Sequence, residues 1–510
     1  MGTLRWLDIL VIAIYLATLT GVGLRFSRRQ KTTQRYFIAQ RSIPGWAMGL
    51  SLLATLISSV TFIAYPGSAY AGDWSNLVPG LTVVPVVLVT VFVVIPFFRH
   101  AVGVSAYEYF GKRFGYGARV YSSLAYAAGH LSKMGFVFYL LALTVNSLAG
   151  WKIDYLILIV GAMTIGYTML GGIEAVIWAD VIQGLVLWLG VLICLCFLLL
   201  LPPGGPAAML HAAWNSHKIS LGSTAADFSK PTILVLSLYG FSYYLQRYTC
   251  DQTVVQRYLV ARTDRQAVRG VLIGSLLCVP VWALFMLIGT LCWTFFKLTG
   301  ETLPAQFARG DQAFPYFVTH HLPAGFAGLF IAALFGATMA NLSSDLNSLA
   351  AVAVEDYYRL WFRGSSERAQ LIAAKVAVLI CGAICMAVAS VLGHSNGSAL
   401  SLWFTISAIV SGGLVGLFAL AFLTPRANAT GAYIGIAASL LFTTWAVSSL
   451  GAGNFPLHNY MVGAIGQVLC FGIGYLASLP FQSSPNTAPE LTIWSWIRNN
   501  RVACEPSLKG

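Results

Sequence analysis

The sequence is poor in charge. Only 9% of its 510 residues are Asp, Glu, Lys or Arg, whereas a soluble domain carries roughly 25%. Hydrophobic residues make up 58% of the chain, and one membrane span uses about 20 of them. The composition therefore has room for a dozen or more spans. It excludes a soluble enzyme, a disordered chain and a secreted disulfide scaffold.

Several motifs that carry chemistry are also missing. The sequence has no G-x-x-x-x-G-K-[ST] loop for ATP phosphates, and no H-E-x-x-H, G-x-S-x-G or Cys/His catalytic pattern. Seven of the nine cysteines lie in apolar runs without C-x-x-C spacing, which is typical of packing residues. We therefore expect neither ATP hydrolysis nor another enzymatic activity.

Apolar runs dominate what is present, and they predict an all-α integral membrane protein with about 13 transmembrane helices, here numbered as spans. Their approximate bounds are 6–25, 44–71, 76–98, 119–148, 153–171, 173–203, 231–260, 266–297, 322–356, 366–392, 398–423, 429–450 and 458–480. The break between spans 5 and 6 is the weakest, so 12 spans remain an alternative. We expect one transmembrane domain over 1–480 and a short cytoplasmic tail over 481–510, either disordered or lying on the membrane surface.

The positions of the basic residues predict the orientation. With 13 spans and the N-terminus outside, 22 of the 30 Lys and Arg residues, Arg257 among them, fall in inner segments and six in outer ones. This bias predicts an N-terminus outside and a C-terminus inside. The net charge of +13 then reports orientation in a lipid bilayer rather than a nucleic-acid partner. We expect a multi-pass cell-membrane protein, of the bacterial inner membrane, with no obligatory protein partner.

Ionisable residues within spans are costly and usually functional. The chain has few: Lys133, Asp180, Arg247, Asp251 and Asp345. Asp180 lies well inside span 6 and is the strongest candidate for a functional group. A position at a helix end is the alternative for Asp251 and Asp345. Lys133 is a counter-charge for an anionic solute or the partner of a helix carboxylate.

Two spans are predicted to be broken. Span 2 has five hydroxyl residues between Ser51 and Thr61, followed by Pro66-Gly67, and span 7 is polar and aromatic through its centre, with Gly240 near its middle. Interrupted helices at matching places in two halves are typical of a transporter binding site. Spans 2–6 (44–203) and 7–11 (231–423) would form two inverted repeats, with two further helices over 429–480.

Span 9 carries a polar stripe of oxygen-bearing side chains, Ser343, Ser344, Asn347 and Ser348, with Asp345 beside them. Hydroxyl, carbonyl and carboxylate oxygens are hard ligands that suit a small cation. The alternative is that these side chains only join neighbouring helices by hydrogen bonds.

Four segments resemble the sodium:solute symporter family, which contains the sodium/glucose cotransporters. They are GGIEAVIWADVIQ (171–183), DQTVVQRYLVARTDRQAVRG (251–270), SAYEYFGKRFG (105–115) and VAVEDYYR (352–359). The resemblance implies a LeuT-type five-plus-five inverted repeat and inward movement of solute together with sodium ions.

The resemblance also implies two sodium sites. The main one would use backbone carbonyls of Ala54, Ile57 and Ala337, followed by two hydroxyl ligands. Ala340 and Asn341 stand at those two positions, so the usual site is weakened or rebuilt, with Asn341 offering an amide oxygen. A second site, found in some members, would use Asp180, Ser343 and Ser344.

For the solute, the matching positions are Thr61, Tyr243, Tyr244 and Gln246, with Gln252 nearby, and with Lys133 near the path. Aromatic faces with amide and hydroxyl donors suit a polyhydroxylated solute, or they only pack the helix core. Span 3 lacks the carboxylate of the galactose-binding members, which weakens a galactose assignment, and Lys133 near the path makes a sugar acid such as a sialic acid a candidate.

The sequence thus predicts a sodium-coupled symporter of a small organic solute, a sugar or sugar acid, working by alternating access. A proton-coupled symporter of the same fold, and a solute sensor or receptor built on a transporter fold, remain the alternatives.

Overall fold

The computed structural model describes residues 5–304, 310–394, 412–481 and 489–504. In these residues the regular secondary structure is helical, apart from an isolated β-bridge between Ile43 and Ala261. The first half contains α1 Trp6–Ser27, α2 Thr33–Ile38, α3 Gly45–Leu56, α4 Ser59–Ala71, α5 Val78–Leu81, α6 Val83–Thr90, α7 Val94–Ala101, α8 Tyr107–Phe114, α9 Tyr116–Ala149, α10 Ile153–Leu200 and α11 Gly205–Asn215. The second half contains α12 Ile233–Thr249, α13 Gln252–Val260, α14 Asp264–Thr299, α15 Gly310–His321, α16 Phe326–Val352, α17 Arg359–Trp361, α18 Glu367–His394, α19 Leu414–Leu423, α20 Ala429–Gly451, α21 Met461–Ser478 and α22 Ile493–Cys504.

The all-helical membrane architecture is confirmed, whereas the count of 13 spans stays a prediction. By length and apolar composition, eight of the described helices can cross a membrane, or ten when two bent helix pairs each count as one span. The first part of span 11, residues 398–411, lies outside the described residues.

Spans 5 and 6 form one continuous helical segment, α10, with a sharp kink. A straight helix of its 48 residues would be about 72 Å long, far more than the roughly 30 Å of a hydrocarbon core. Gly172 provides the kink, with φ 56° and ψ −157°. A Cβ atom at Gly172 would lie 2.8 Å from Tyr36, so both the backbone angle and the packing require glycine here. The weak break at 171–175 is therefore a real one.

The predicted break in span 2 is confirmed, and its position is now defined. α3 ends at Leu56, Ile57 and Ser58 are extended, and α4 begins at Ser59 at an angle of 56° to α3. Span 3 is bent as well, by 60° between Ser75–Thr90 and Val94–Ala101, which the apolar sequence did not indicate.

The break in span 7 lies later than predicted. Gly240 is inside α12, and the chain leaves the helix only at Cys250 and Asp251. Asp251 caps α13, because its carboxylate accepts a hydrogen bond of 2.9 Å from the Thr253 amide. The helix-end interpretation of Asp251 is thus confirmed.

Burial separates a central helix from peripheral ones. Almost every residue of α16 is buried, including its Ser, Asn and Asp side chains. In contrast, only 28% of the apolar windows of α1, α18 and α20 is buried, and these helices expose large apolar residues such as Leu10, Ile380 and Trp445. Because exposed apolar surface on this scale is unstable in water, it defines the lipid-facing side.

The C-terminal segment contains an ordered helix, α22. The Trp494 indole donates a 2.7 Å hydrogen bond to the Leu423 carbonyl, and the Trp496 ring lies 5.9 Å from that of Phe97. The tail around 491–500 is therefore docked on α7 and α19 rather than disordered.

Candidate solute and cation sites

A cavity of about 640 Å³ lies beside the break between α3 and α4. Its walls come from the broken helix pair, from α9, from α12, from Asn76 and Pro79 at the start of the α5 region, and from single residues of α14 and the loop before α21. The lining includes four of the residues predicted to contact solute, namely Thr61, Lys133, Tyr243 and Tyr244. The volume falls within the range of 300–1,000 Å³ that is usual for small-molecule sites.

One side of the cavity is an aromatic wall. The rings of Tyr239 and Tyr460 stack at 4.5 Å, Tyr239 and Tyr243 stack at 5.9 Å, and Tyr244 contacts Trp282 at 5.7 Å. Tyr243 remains 41% exposed, although its neighbour Tyr244 is buried. The wall therefore presents a tyrosine face and hydroxyl to the cavity rather than a closed aromatic core.

Five ionisable side chains form a cluster next to this cavity. Lys133 Nζ lies 2.6 Å from Asp345 Oδ2. His130 lies between two carboxylates, with Nδ1 2.9 Å from Asp345 Oδ1 and Nε2 3.0 Å from Asp251 Oδ2. Arg247 also pairs with Asp251. Lys133 is 29% exposed while Asp345 is fully buried, so Lys133 is the member of the cluster that reaches the cavity. The pairing of Lys133 with a helix carboxylate is thus confirmed.

A second buried ion pair joins Asp180 to Arg257. Arg257 Nη2 lies 3.1 Å from Asp180 Oδ2, and both side chains are wholly buried. Ser51 donates a hydrogen bond to the same Oδ2, and Arg257 Nη2 donates to Ser344. Asp180 Oδ1 has no hydrogen-bond partner within the described parts of the chain. Arg257 was assigned to an inner loop by the sequence, which is wrong, because α13 places it at the centre of the bundle.

The predicted cation residues of α16 are thus partly brought together. Ser344 joins the Asp180 group through Arg257, and its hydroxyl lies 3.1 Å from that of Thr55. The Ser343 hydroxyl donates to the Ala340 carbonyl of its own helix at 3.3 Å. This group also includes Ser51, Thr55 and Arg257. In the sequence, the hydroxyl run of span 2 was a signal for Ser51 and Thr55 but not for Arg257.

The break in span 2 meets α16 at Asn341. Its Nδ2 donates hydrogen bonds to the carbonyls of Thr55 at 2.7 Å and Ile57 at 3.3 Å. The sequence expectation was an amide oxygen facing a sodium ion, so the structure presents the opposite end of the amide. Ala54 and Ala337 are buried on the two helices that meet here, and they remain predicted carbonyl ligands.

Two predicted solute contacts lie elsewhere. Gln252 is fully buried and uses both ends of its amide on backbone groups: Oε1 accepts from Ala106 at 2.7 Å, and Nε2 donates to Val104 at 2.7 Å. Gln246 accepts a 3.2 Å hydrogen bond from Gln467. Neither residue lines the cavity. Gln252 holds the α7–α8 connection against α13, and its role as a solute ligand stays a prediction.

A sodium:solute symporter family profile matches residues 36–438. A sodium/sialic acid symporter of Aliivibrio fischeri is 31% identical over 95% of each chain. A sodium/sialic acid symporter of Proteus mirabilis is 32% identical over 89% of this chain and 91% of its own length. The human sodium/iodide cotransporter is 30% identical over 88% of this chain and 70% of its own.

Solved structures agree. A substrate-bound, outward-open Na⁺-coupled sialic acid symporter superposes with a TM-score of 0.88 at 30% identity, over 94% of this chain and 99% of that one. The nucleobase-cation-symport-1 transporter Mhp1 gives 0.51 at 15% identity, over 89% of this chain and 97% of that one, which supports the fold alone.

Fold, cavity and broken helices together define a secondary transporter of LeuT-like fold. The chain belongs to the sodium:solute symporter family. It is a multi-pass membrane protein, and it is a sodium-coupled solute symporter. Of the coupling ions that the sequence left open, sodium is therefore the one used.

Proposed function

We propose that this symporter imports a carboxylate-bearing sugar, a sugar acid of the sialic acid type, together with sodium. The cavity at the α3–α4 break binds the solute, and Lys133 binds its carboxylate. The cell membrane, with the N-terminus outside, is the proposed setting. The observation that carries the proposal is the position of Lys133, the basic member of a buried charged cluster that lines this cavity.

That cluster contains more basic than acidic groups. Lys133 and Arg247 balance Asp251 and Asp345, which leaves His130 as the fifth group. His130 has a carboxylate oxygen within 3.0 Å of each ring nitrogen. Lys133 is the basic group of this cluster that lines the cavity, and a solute carboxylate bound at Lys133 would place an anion beside a cation in a medium where charge is costly.

The rest of the cavity suits a sugar ring. Tyr243 and Trp282 offer aromatic faces, while Thr61, Ser68 and Asn76 offer hydroxyl and amide groups. Apolar walls with a few polar groups fix the orientation of a small ligand. The two sialic acid symporters among the relatives support the same solute class.

For the sodium ion we propose Oδ1 of Asp180 with the hydroxyls of Ser343 and Ser344. This carboxylate oxygen is buried without a hydrogen bond from any described residue, which is costly unless a cation or water binds it. Ser344 and Asp345 are neighbours on α16, and Asp345 pairs with Lys133 at the cavity. Ion and solute would therefore act on the same buried helix, which gives a physical route for their coupling.

The proposed orientation does not depend on Arg257. With that residue assigned to the bundle, 21 of the 30 basic residues still fall in inner segments and six in outer ones. Labelling of an epitope tag added at either end of the chain on intact cells tests it, and an outer label at the C-terminal tag alone would overturn it.

Solute class is tested by titrating the purified symporter with N-acetylneuraminic acid, glucuronic acid, glucose and galactose in sodium buffer, by calorimetry. Heat of binding from the acids and none from the neutral sugars is expected. Equal affinity for the acids and the neutral sugars would contradict the proposal.

A further inference from the structure

We infer that the side-chain amide of Asn341 takes the place of a sodium ion at the break between α3 and α4. The symporter then carries one sodium ion fewer than the two-site arrangement implied by family resemblance. This inference deepens the proposed function and rests on it for the charge of the solute.

The break creates a need that an ion or a donor can satisfy. α3 ends at Leu56, and the extended Ile57 and Ser58 interrupt the helical hydrogen-bond pattern. The carbonyls of the last turn of α3 therefore lack the hydrogen bonds that the amides of a following turn would donate. These carbonyls lie inside the bundle, because Thr55 is 1% and Ile57 is 1% exposed. Buried carbonyls without a partner cost free energy, and they attract either a cation or an N–H group.

Asn341 supplies N–H groups at this point. Nδ2 carries two hydrogens and donates to both Thr55 and Ile57, at 2.7 and 3.3 Å. Asn341 itself is only 4% exposed, so water does not compete freely for these bonds. The carbonyl group that resemblance assigns to sodium at Ile57 is therefore bonded within the protein, with no charge required.

The neighbouring residue, Ala340, also differs from the family pattern in a way that removes a sodium ligand. Ala340 is fully buried and ends in a methyl group, where the family pattern has a hydroxyl. A methyl group cannot bind a cation, and it also leaves no polar atom unsatisfied once the ion is gone. Two adjacent residues thus replace the two hydroxyl ligands, one by an apolar group and one by a hydrogen-bond donor.

Rotation of the amide does not restore the ion site without cost. With Oδ1 in place of Nδ2, two acceptor oxygens would face each other at the 2.7 Å distance found for Thr55. Sodium would have to break two buried hydrogen bonds before binding there. The amide therefore competes with the ion, and it has the advantage of being covalently fixed in place.

The consequence is electrical. One sodium ion with one carboxylate moves no net charge, so the membrane potential, worth about 2.3 kcal/mol per charge at 100 mV, would not drive transport. Accumulation would follow the sodium gradient alone. A second sodium would make the same cycle carry one positive charge inward.

The test compares wild type with A340S/N341S, a variant that has both family hydroxyls. Uptake of a sugar acid into proteoliposomes is measured while potassium gradients and valinomycin set the membrane potential. For wild type we expect a sodium Hill coefficient of about 1 and equal uptake with and without an inside-negative potential. For A340S/N341S we expect a Hill coefficient rising towards 2 and uptake increased several-fold by the potential. A340S alone keeps the amide and is expected to behave as wild type.

Sodium binding to purified protein provides a second readout that does not depend on transport. Sodium is expected to raise the melting temperature of wild type and N341A over the same concentration range, because Asn341 is not a ligand. A wild-type Hill coefficient near 2 with potential-driven uptake, or an N341A variant that folds but needs at least tenfold more sodium, would overturn the inference. Sodium-driven uptake of a neutral sugar instead of an acid would contradict the proposed solute, while the sodium titrations would still decide the role of Asn341.

Discussion

The guanidinium of Arg257 lies 3.1 Å from the carboxylate of Asp180, and neither side chain is exposed. The two residues are far apart in sequence, on α13 and on the half of α10 after Gly172. Their pairing occupies one oxygen of Asp180, and the other oxygen accepts no hydrogen bond from the part of the chain that the structure describes. The ion pair thus fixes the carboxylate while the free oxygen stays open to a cation.

Replacing Asp180 tests this division of roles. Asp180→Asn removes the negative charge and leaves Arg257 buried without its partner, which typically costs about 3–5 kcal/mol. We expect lower thermal stability and loss of stimulation by sodium. The double variant D180N/R257Q removes both charges, and it should regain stability without regaining the sodium response. Full sodium dependence in the stable double variant would show that Asp180 only supports the fold.

Lys133 is expected to determine the affinity for anionic solute. Lys133→Gln keeps a polar side chain but removes the charge, and we expect the affinity for a sugar acid to fall at least about tenfold, or roughly 1.4 kcal/mol. Lys133→Arg should retain most of the affinity. The exposed Lys152, outside the cavity, provides the matched control Lys152→Gln. Calorimetric titration of the four proteins measures the effect, and unchanged affinity in Lys133→Gln would exclude a counter-charge.

Gly172 is expected to be structurally irreplaceable by alanine. Gly172→Ala forces an L-residue to φ 56° and places a Cβ atom 2.8 Å from Tyr36, at a strain of about 1–3 kcal/mol before any clash is counted. The same substitution at Gly166, in the same helix, meets no atom within 4 Å. The apparent melting temperature in detergent should fall for G172A and stay unchanged for G166A. Equal behaviour of the two variants would contradict the kink as described.

Gln252 should matter for stability and not for the solute. Gln252→Ala leaves the buried amide of Ala106 and carbonyl of Val104 without their partner, at about 1–3 kcal/mol for each group. We therefore expect a lower melting temperature together with an unchanged KM for solute. A raised KM at unchanged stability would return Gln252 to the binding site.

The sequence was informative wherever a local pattern has a local cause. The hydroxyl run of span 2 indicated a break, and α3 and α4 do separate within it, at Ile57 and Ser58, whereas Pro66-Gly67 lies inside α4. The low charge content exposed Asp180 and Lys133 as unusual, and both take part in buried ion pairs. Polar groups stand out in an apolar background because membrane burial makes each of them costly.

The sequence did not predict features that depend on contacts between distant parts of the chain, such as which end of an amide faces its partner. In the sequence, Arg257 is close to the basic residues of a loop. Only the structure, in which α13 begins at Gln252 and buries Arg257, shows that this side chain lies inside the bundle. Gln252 has the same amide chemistry as a solute ligand, but its partners come from residues 104–106. Asn341 can offer an oxygen or a nitrogen, and the choice depends on Thr55 and Ile57, nearly 300 positions earlier.

Gradient-driven uptake into proteoliposomes tests the central claim of sodium-coupled sugar-acid symport most directly. Vesicles are given an inward sodium gradient with external labelled N-acetylneuraminic acid, and in parallel an inward proton gradient without sodium. We expect transient accumulation above the equilibrium level with the sodium gradient only. Equal accumulation driven by protons in the absence of sodium, or no accumulation of the acid while galactose accumulates, would contradict it.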